Sequence, residues 1–400
     1  MGSRIIGLDG IRGLAALFVV FHHTWIRSFP GYPADHSPFW AGWMIYGRLA
    51  VDVFMVLSGF SLAVSPARHG WHLGGVGRFL RRRAWRILPP YWAALAFSLL
   101  IAWFVIPQPG GGIPNGRTLI VDGLLLQDWT DAPSPNRAFW TIAIEAHLYF
   151  VFPLLLLMIR RIGAAIMVAA VTGVVLVVQY TASAAELVRL TPEFAVLFAV
   201  GIVAARILTV APARQSWPWH WIALAIATPV LALMAWKGSV WTIGQQLFWV
   251  QLALAPAIGC LLAALATGRP APLVRLLDTA PFRRLGSFSY SLYLTHAPIV
   301  VIVYFKLIDG RFTQGVPSLL ASLAIVVPAT ILVAWLFGSL FEIPFQRYRS
   351  WSAVRDASAA RVRVVGAQAT RLLTVRPVAA RPRPSPAGGA DRELDASEAG

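Results

Sequence analysis

Apolar residues fall in ten long runs, near 13–29, 44–65, 90–106, 139–159, 164–180, 193–208, 220–236, 247–267, 287–305 and 318–341. Each approaches the ~20 residues that an α-helix needs to cross a bilayer. The pattern therefore predicts about ten transmembrane helices. Between the third and fourth runs, the segment 118–129 (TLIVDGLLLQDW) is too short to span and carries Asp122 and Asp128. It reads as re-entrant or interfacial. The first run continues into HHTWIRS with no small-x-small cleavage site, so it reads as a retained helix rather than a signal peptide.

Composition sharpens this picture. Of 400 residues, 58% are hydrophobic and 13% are charged, against roughly 25% charged in a soluble domain. A soluble protein of this size cannot bury so much apolar surface, and a disordered chain does not contain it. The expected fold class is an all-α polytopic integral membrane protein. The one cysteine, Cys260, excludes an internal disulfide and a Cys-rich metal site, and no metal is expected.

The net charge is +17, and only Lys237 and Lys306 among the basic residues are lysines. Such a balance suits nucleic acid, but membrane proteins also concentrate arginine in cytoplasmic loops. With the N-terminus inside, 25 of the 34 basic residues fall on the cytoplasmic side and seven outside, while Arg12 and Arg48 lie at helix ends. The asymmetry holds loop by loop. It predicts both termini in the cytoplasm, a multi-pass protein of the inner (plasma) membrane, and no nucleic-acid partner. Residues 1–349 read as the transmembrane domain. Residues 350–400, rich in Ala, Arg and Pro, read as a disordered basic cytoplasmic tail whose arginines can meet anionic lipid. Neither this tail nor the Pro- and Gly-rich loop near 107–138 reads as an enzyme domain. Chemistry is thus expected inside the bundle.

Ionisable groups inside spanning segments are expensive and usually functional. Here they are Arg12, His22, His23, Arg48, Asp52, Glu145, His147 and His296. Arg12 and His23 are eleven residues apart, which places them on one helix face about 16 Å apart along the axis. A helix-end anchor and an interfacial histidine explain that spacing equally well. Arg48 and Asp52 are i,i+4 and can pair with each other. Ser58-Gly59 suits close helix packing. Arg83 and Arg86, just before Pro89-Pro90, are i,i+3 in an arginine-rich loop; topogenic charge explains any one of them, but together they can fork onto one anion. Glu145 and Tyr149 share a face, with His147 on the other side. Ser289, Tyr293 and His296 also share a face, where packing and backbone satisfaction are the plainer explanation. Glu193 follows Thr191-Pro192, the pattern of an N-cap with Pro at the first helical position.

These motifs together resemble the membrane-bound acyltransferase-3 family. The similarity runs from Leu8 to about Arg347. It comprises LDGIRG with Arg12 and His23, VDVFMVLSGF at 51–60, and Arg82, Arg83, Arg86, Ile87 and Pro89 as an RRxxRIxP run. FWTIAIE…Y at 139–149 follows, with Thr141 where serine is common, then SYSLYLTH at 289–296 and EIPFQR at 342–347. Each motif is weak alone, and six in order are specific.

The resemblance implies an O-acyltransferase that moves an acyl group, usually acetyl, from cytoplasmic acyl-CoA to a hydroxyl of a glycan, lipid-linked sugar or other product. Acyl-CoA is then a donor substrate, and no permanently bound cofactor is expected. The geometry suits this chemistry. Arg12, Arg83 and Arg86 are candidates to hold the phosphates. His23 is the candidate base or acyl carrier, with Glu145 or Asp52 orienting it. His296, with Ser289 or Tyr293, is expected to stabilise the oxyanion or position the acceptor. The competing readings are a transporter of a glycan precursor or small anion, and a non-catalytic scaffold. No inverted repeat supports transport.

Overall fold

The computed structural model describes residues 5–130, 132–181, 185–348, 350–353 and 355–356. Among these, every apolar run is helical: α1 Leu8–Ser28, α2 Leu49–Arg68, α3 Val76–Phe104, α4 Trp140–Arg161, α5 Ala164–Tyr180, α6 Glu193–Ala204, α7 Trp219–Ser239, α8 Leu247–Ala266, α9 Ser289–Val303 and α10 Val316–Phe337. No strand occurs among the described residues. Seven of these helices, counted with their helical extensions, are long and apolar enough to cross a membrane. The other three differ for identifiable reasons. Asp9, Arg12, His22 and His23 dilute α1, α5 has only 17 residues, and α6 has 12 before a tighter turn at Ala205–Leu208. The molecule is an all-α, multi-pass membrane protein.

The segment between the third and fourth runs forms a short helix, Gly116–Gly123, and a single turn, Gln127–Trp129. A reciprocal cap starts the short helix: the Asn115 side chain accepts from Thr118 N at 3.2 Å, and the Thr118 hydroxyl accepts from Asn115 N at 3.1 Å. Residues 350–400 form a unit separate from 1–349. The tail expected there lies almost wholly outside the described residues.

Two local readings change. The arginine-rich segment before Pro89-Pro90 is not a loop. It forms the first turns of α3, and the helix runs through both prolines. Arginine is a good helix former, and a membrane helix tolerates proline where neighbouring helices support it. Arg83 and Arg86 therefore stand at fixed positions on one helix. Thr191 does not cap α6: its φ is +45°, its hydroxyl has no hydrogen-bond partner, and Pro192 takes the cap position.

Close contact between α2 and α6 anchors the bundle. A Cβ on Gly59 would collide with the Phe198 carbonyl, and one on Gly201 with the Val56 carbonyl. Small residues let two backbones touch where no hydrophobic effect drives helices together. Beside this contact, Phe152 packs on Phe198 and Phe79, with ring centroids 5.9 and 5.1 Å apart.

The polar contacts fix helix polarity. The Arg48 guanidinium lies 5.1 Å from the Trp140 ring centroid, Trp140 lies 5.6 Å from Phe194, and Gln251 donates to Asp52 at 2.6 Å. The starts of α2, α4, α6 and α8 thus gather at one end. At the other end, Arg12 donates to Ser61 Oγ at 2.8 Å, joining the start of α1 to the late turns of α2. Trp85 Nε1 donates to the Tyr348 carbonyl at 2.8 Å, joining early α3 to the chain after α10. The arginines of early α1 and α3 share this second end.

Candidate active site

A cavity of about 590 Å³ opens at the arginine-rich end, within the size range of small-molecule sites. Arg12, Arg83, Arg86 and Arg347 line it, with Asp9, Glu145 and Glu342. Arg12 is held between Ser61 Oγ and Asp9 Oδ1, at 2.8 and 3.3 Å. The Arg83 guanidinium sits 5.7 Å from the centre of the Phe79 ring, and its buried Nε has no hydrogen-bond partner. A buried guanidinium N–H without an acceptor is costly, and an anion entering the cavity relieves that cost.

Deeper in, Glu145 Oε1 accepts from Ser58 Oγ at 2.6 Å and from Tyr149 Oη at 2.7 Å. The shared face of Glu145 and Tyr149 is thus realised, while His147 points away, 6.2 Å from the Trp129 ring. Ser289 and Tyr293 also line the cavity. Ser289 Oγ donates to the Gly286 carbonyl at 2.9 Å, and Tyr293 Oη shares a 2.7 Å hydrogen bond with Thr141 Oγ1. The cavity reaches Thr141 and Tyr293; His23 and His296 are not among its lining residues.

The two histidines meet behind Tyr293. Its ring lies 5.6 Å from His296, whose ring lies 4.9 Å from His23. His296 Nδ1 is 2.7 Å from the Tyr293 carbonyl, and His23 Nδ1 is 3.0 Å from the Val19 carbonyl. A carbonyl only accepts, so each Nδ1 carries the hydrogen and each Nε2 keeps a lone pair. His296 Nε2 then faces the His23 Nδ1–H at 3.4 Å, and His23 Nε2 is left available.

The structure does not bring every candidate to this pair. Glu145 and Asp52 make no hydrogen bond to His23. Asp52 is fully buried and accepts from Gln251, with its Oδ2 unpartnered. Arg48 lies over Trp140 and does not ion-pair with Asp52. His22 turns to the Met44 carbonyl at 3.0 Å.

Several polar groups of the site were not singled out by helix periodicity. Glu342 accepts from Ser291 N at 2.9 Å, from Ser291 Oγ at 2.6 Å and from Gln346 at 2.9 Å, pinning α9 beside the cavity. Asn136 donates to the Leu294 carbonyl at 2.8 Å, two residues before His296. Thr141, Ser58 and Glu342 lie within the family motifs, but the sequence of one helix does not name the partner of a hydroxyl or carboxyl on another.

An acyltransferase domain model matches residues 5–338. The chain belongs to the acyltransferase-3 family. It is 29% identical over 367 residues to acyltransferase MdmB of Streptomyces mycarofaciens, covering 85% of this chain and 90% of that protein. It is 22% identical to peptidoglycan O-acetyltransferase OatA of Listeria monocytogenes, covering 85% of this chain and 55% of OatA. A shorter similarity, 28% over 174 residues, links it to the putative membrane-bound transacylase BcsY of Komagataeibacter xylinus. No solved structure matches.

Proposed function

We propose that this acyltransferase-3 protein moves an acyl group from cytoplasmic acyl-CoA to a hydroxyl of a glycan, lipid-linked sugar or similar acceptor, in the inner membrane. One observation carries this reading: a guanidinium-lined cavity runs from the arginine-rich end to Tyr293, directly in front of paired histidines. The relatives named acyltransferase and O-acetyltransferase support acyl transfer.

In this mechanism Arg12, Arg83 and Arg86 bind the phosphates of the donor, with Arg347 at the mouth. Charge-assisted hydrogen bonds from several guanidiniums favour a polyanion over neutral competitors. The slim thioester arm extends inward past Glu145 towards Thr141 and Tyr293. The acyl carbonyl reaches His23 as the Thr141–Tyr293 contact parts.

His23 Nε2 then takes the proton of the acceptor hydroxyl, and the oxygen attacks the thioester carbonyl. Collapse of the tetrahedral intermediate breaks the carbon–sulfur bond, and the departing thiolate recovers the proton from His23. As His23 becomes positively charged, its Nδ1–H binds more strongly to the Val19 carbonyl and His296 Nε2. His296 thus takes the orienting part that a carboxylate plays elsewhere. The hydroxyls of Tyr293 and Thr141 are the nearest donors for the developing oxyanion, and Ser289 lies on the same wall.

The test uses purified protein in liposomes with labelled acetyl-CoA and a glycan acceptor. Wild type is expected to transfer label, and His23→Ala is expected to lose at least a hundredfold in turnover while keeping its yield and monodispersity. Normal turnover of that variant overturns the mechanism. Acceptor counterflow without acyl-CoA overturns the enzyme reading in favour of transport.

A further inference from the structure

A second recess, of about 410 Å³, lies apart from the arginine-lined cavity and shares no lining residue with it. Its floor is apolar and small: Val200, Val203 and Ala204 from α6 face Gly259, Cys260 and Ala263 from α8. Arg206 and Arg214 stand at its rim, both exposed, and α6 ends just before Arg206. Trp217 and Trp219 complete the rim, stacked with centroids 5.6 Å apart. Trp219 Nε1 donates to the Arg214 carbonyl at 3.0 Å and fixes this turn.

The charge at the rim has no local counterpart. No Asp or Glu occurs between Glu193 and Asp278, and among the described residues neither guanidinium has an acidic partner. The slot below is hydrocarbon in character and opens on the outside of a bundle that lies in a membrane. Its occupant must therefore join an anionic head to an apolar chain. Tryptophan at the rim fits the headgroup level, where its amphipathic ring is favoured, and basic pockets between membrane helices suit phospholipid phosphates.

We propose that this groove binds one anionic glycerophospholipid, with its phosphate on Arg206 and Arg214 and an acyl chain along the α6–α8 floor. The site is independent of the donor cavity. The lipid lies along the seam where α6 packs on α8, at the contact of Val200 with Gly259.

The test is native mass spectrometry of the full chain in detergent, after exchange into mixed phosphatidylglycerol, cardiolipin and phosphatidylethanolamine. The expected result is one retained anionic lipid, at least tenfold over phosphatidylethanolamine. Arg206→Gln/Arg214→Gln is expected to abolish that preference. Cys260→Phe, which narrows the floor and leaves both arginines, is expected to reduce retention by a similar factor. Equal retention of phosphatidylethanolamine by wild type, or unchanged retention by both variants, overturns the site. So does retention of acyl-CoA in place of lipid, or a rise in the Michaelis constant for acyl-CoA in the glutamine variant, because either assigns the arginines to the donor.

Discussion

His296 Nε2 lies 3.4 Å from His23 Nδ1, so the lone pair of one imidazole faces the N–H of the other. In the proposed mechanism, two rings in this arrangement act as an oriented base without a carboxylate. The expected consequence is an unequal pair of variants. His23→Ala should lose 10²–10⁴-fold in turnover, the range that a positioned general base contributes. His296→Gln should lose less, about tenfold, because the Val19 carbonyl still holds His23. Single-turnover transfer from labelled acyl-CoA measures both, and equal losses would falsify the assignment of His23 as the base.

Arg83 offers a buried N–H without an acceptor. Arg83→Ala should raise the Michaelis constant for the donor about ten- to a hundredfold, as loss of a charge-assisted hydrogen bond of ~1.5–3 kcal/mol implies. Turnover at saturation should change little. The wild-type constant should also rise with salt, and the variant should show a weaker salt dependence. Steady-state kinetics across ionic strength separates this from a folding defect.

Thr141 and Tyr293 share a 2.7 Å hydrogen bond at the inner limit of the cavity. Thr141→Val leaves a buried phenol short of a partner and should destabilise the protein by about 1–3 kcal/mol. Tyr293→Phe removes the phenol oxygen. The double variant should be less damaging than the sum of the two, a coupling readable by thermal melts in detergent. Additive losses would show that the two hydroxyls act separately.

Gly201 packs so tightly on Val56 that alanine needs the helices to separate. Gly201→Ala should cost about 1–3 kcal/mol, the usual price of overpacking. Gly173, inside α5, where an added Cβ meets nothing within 4 Å, provides the contrast and should tolerate alanine. Reduced melting temperature and yield for Gly201→Ala check this.

Burial pushes the carboxyls of Asp122 and Asp128, between α3 and α4, up to about 7 from an ordinary value of 3.8. Below pH ~4 both groups are protonated, folded or unfolded. As pH rises from there, the unfolded chain ionises first, so the stability associated with their protonated forms is lost progressively up to the folded value near 7. Thermal unfolding followed from pH 4 to 8 should therefore show a declining melting temperature, flatter in Asp122→Asn. A wild-type profile as flat as the variant's removes this account.

Much of this architecture is written in the hydrophobic pattern. All ten apolar runs are helical, because backbone groups in lipid have no alternative partner. Rotational phase also placed Glu145 with Tyr149, since that relation lies within one helix. Relations between helices were harder to read. Periodicity put Ser289, Tyr293 and His296 on one face, yet only the first two line the cavity. The pairing of His23 with His296 spans 273 positions, and no spacing rule reaches that far. Asp52 looked available for Arg48 one turn away, but Gln251 from α8 reaches it instead. The arginine-rich segment reads as a loop because the apolar run begins only near residue 90, whereas α3 starts at Val76 and runs through Pro89 and Pro90.

The contact between Thr141 and Tyr293 has a bioenergetic side. A water-filled passage through this bundle would let ions leak across any membrane that holds a gradient, and every copy would add to the leak. A recess that is entered from the arginine-rich end and stops at one phenol leaves ions no continuous wire through the bundle.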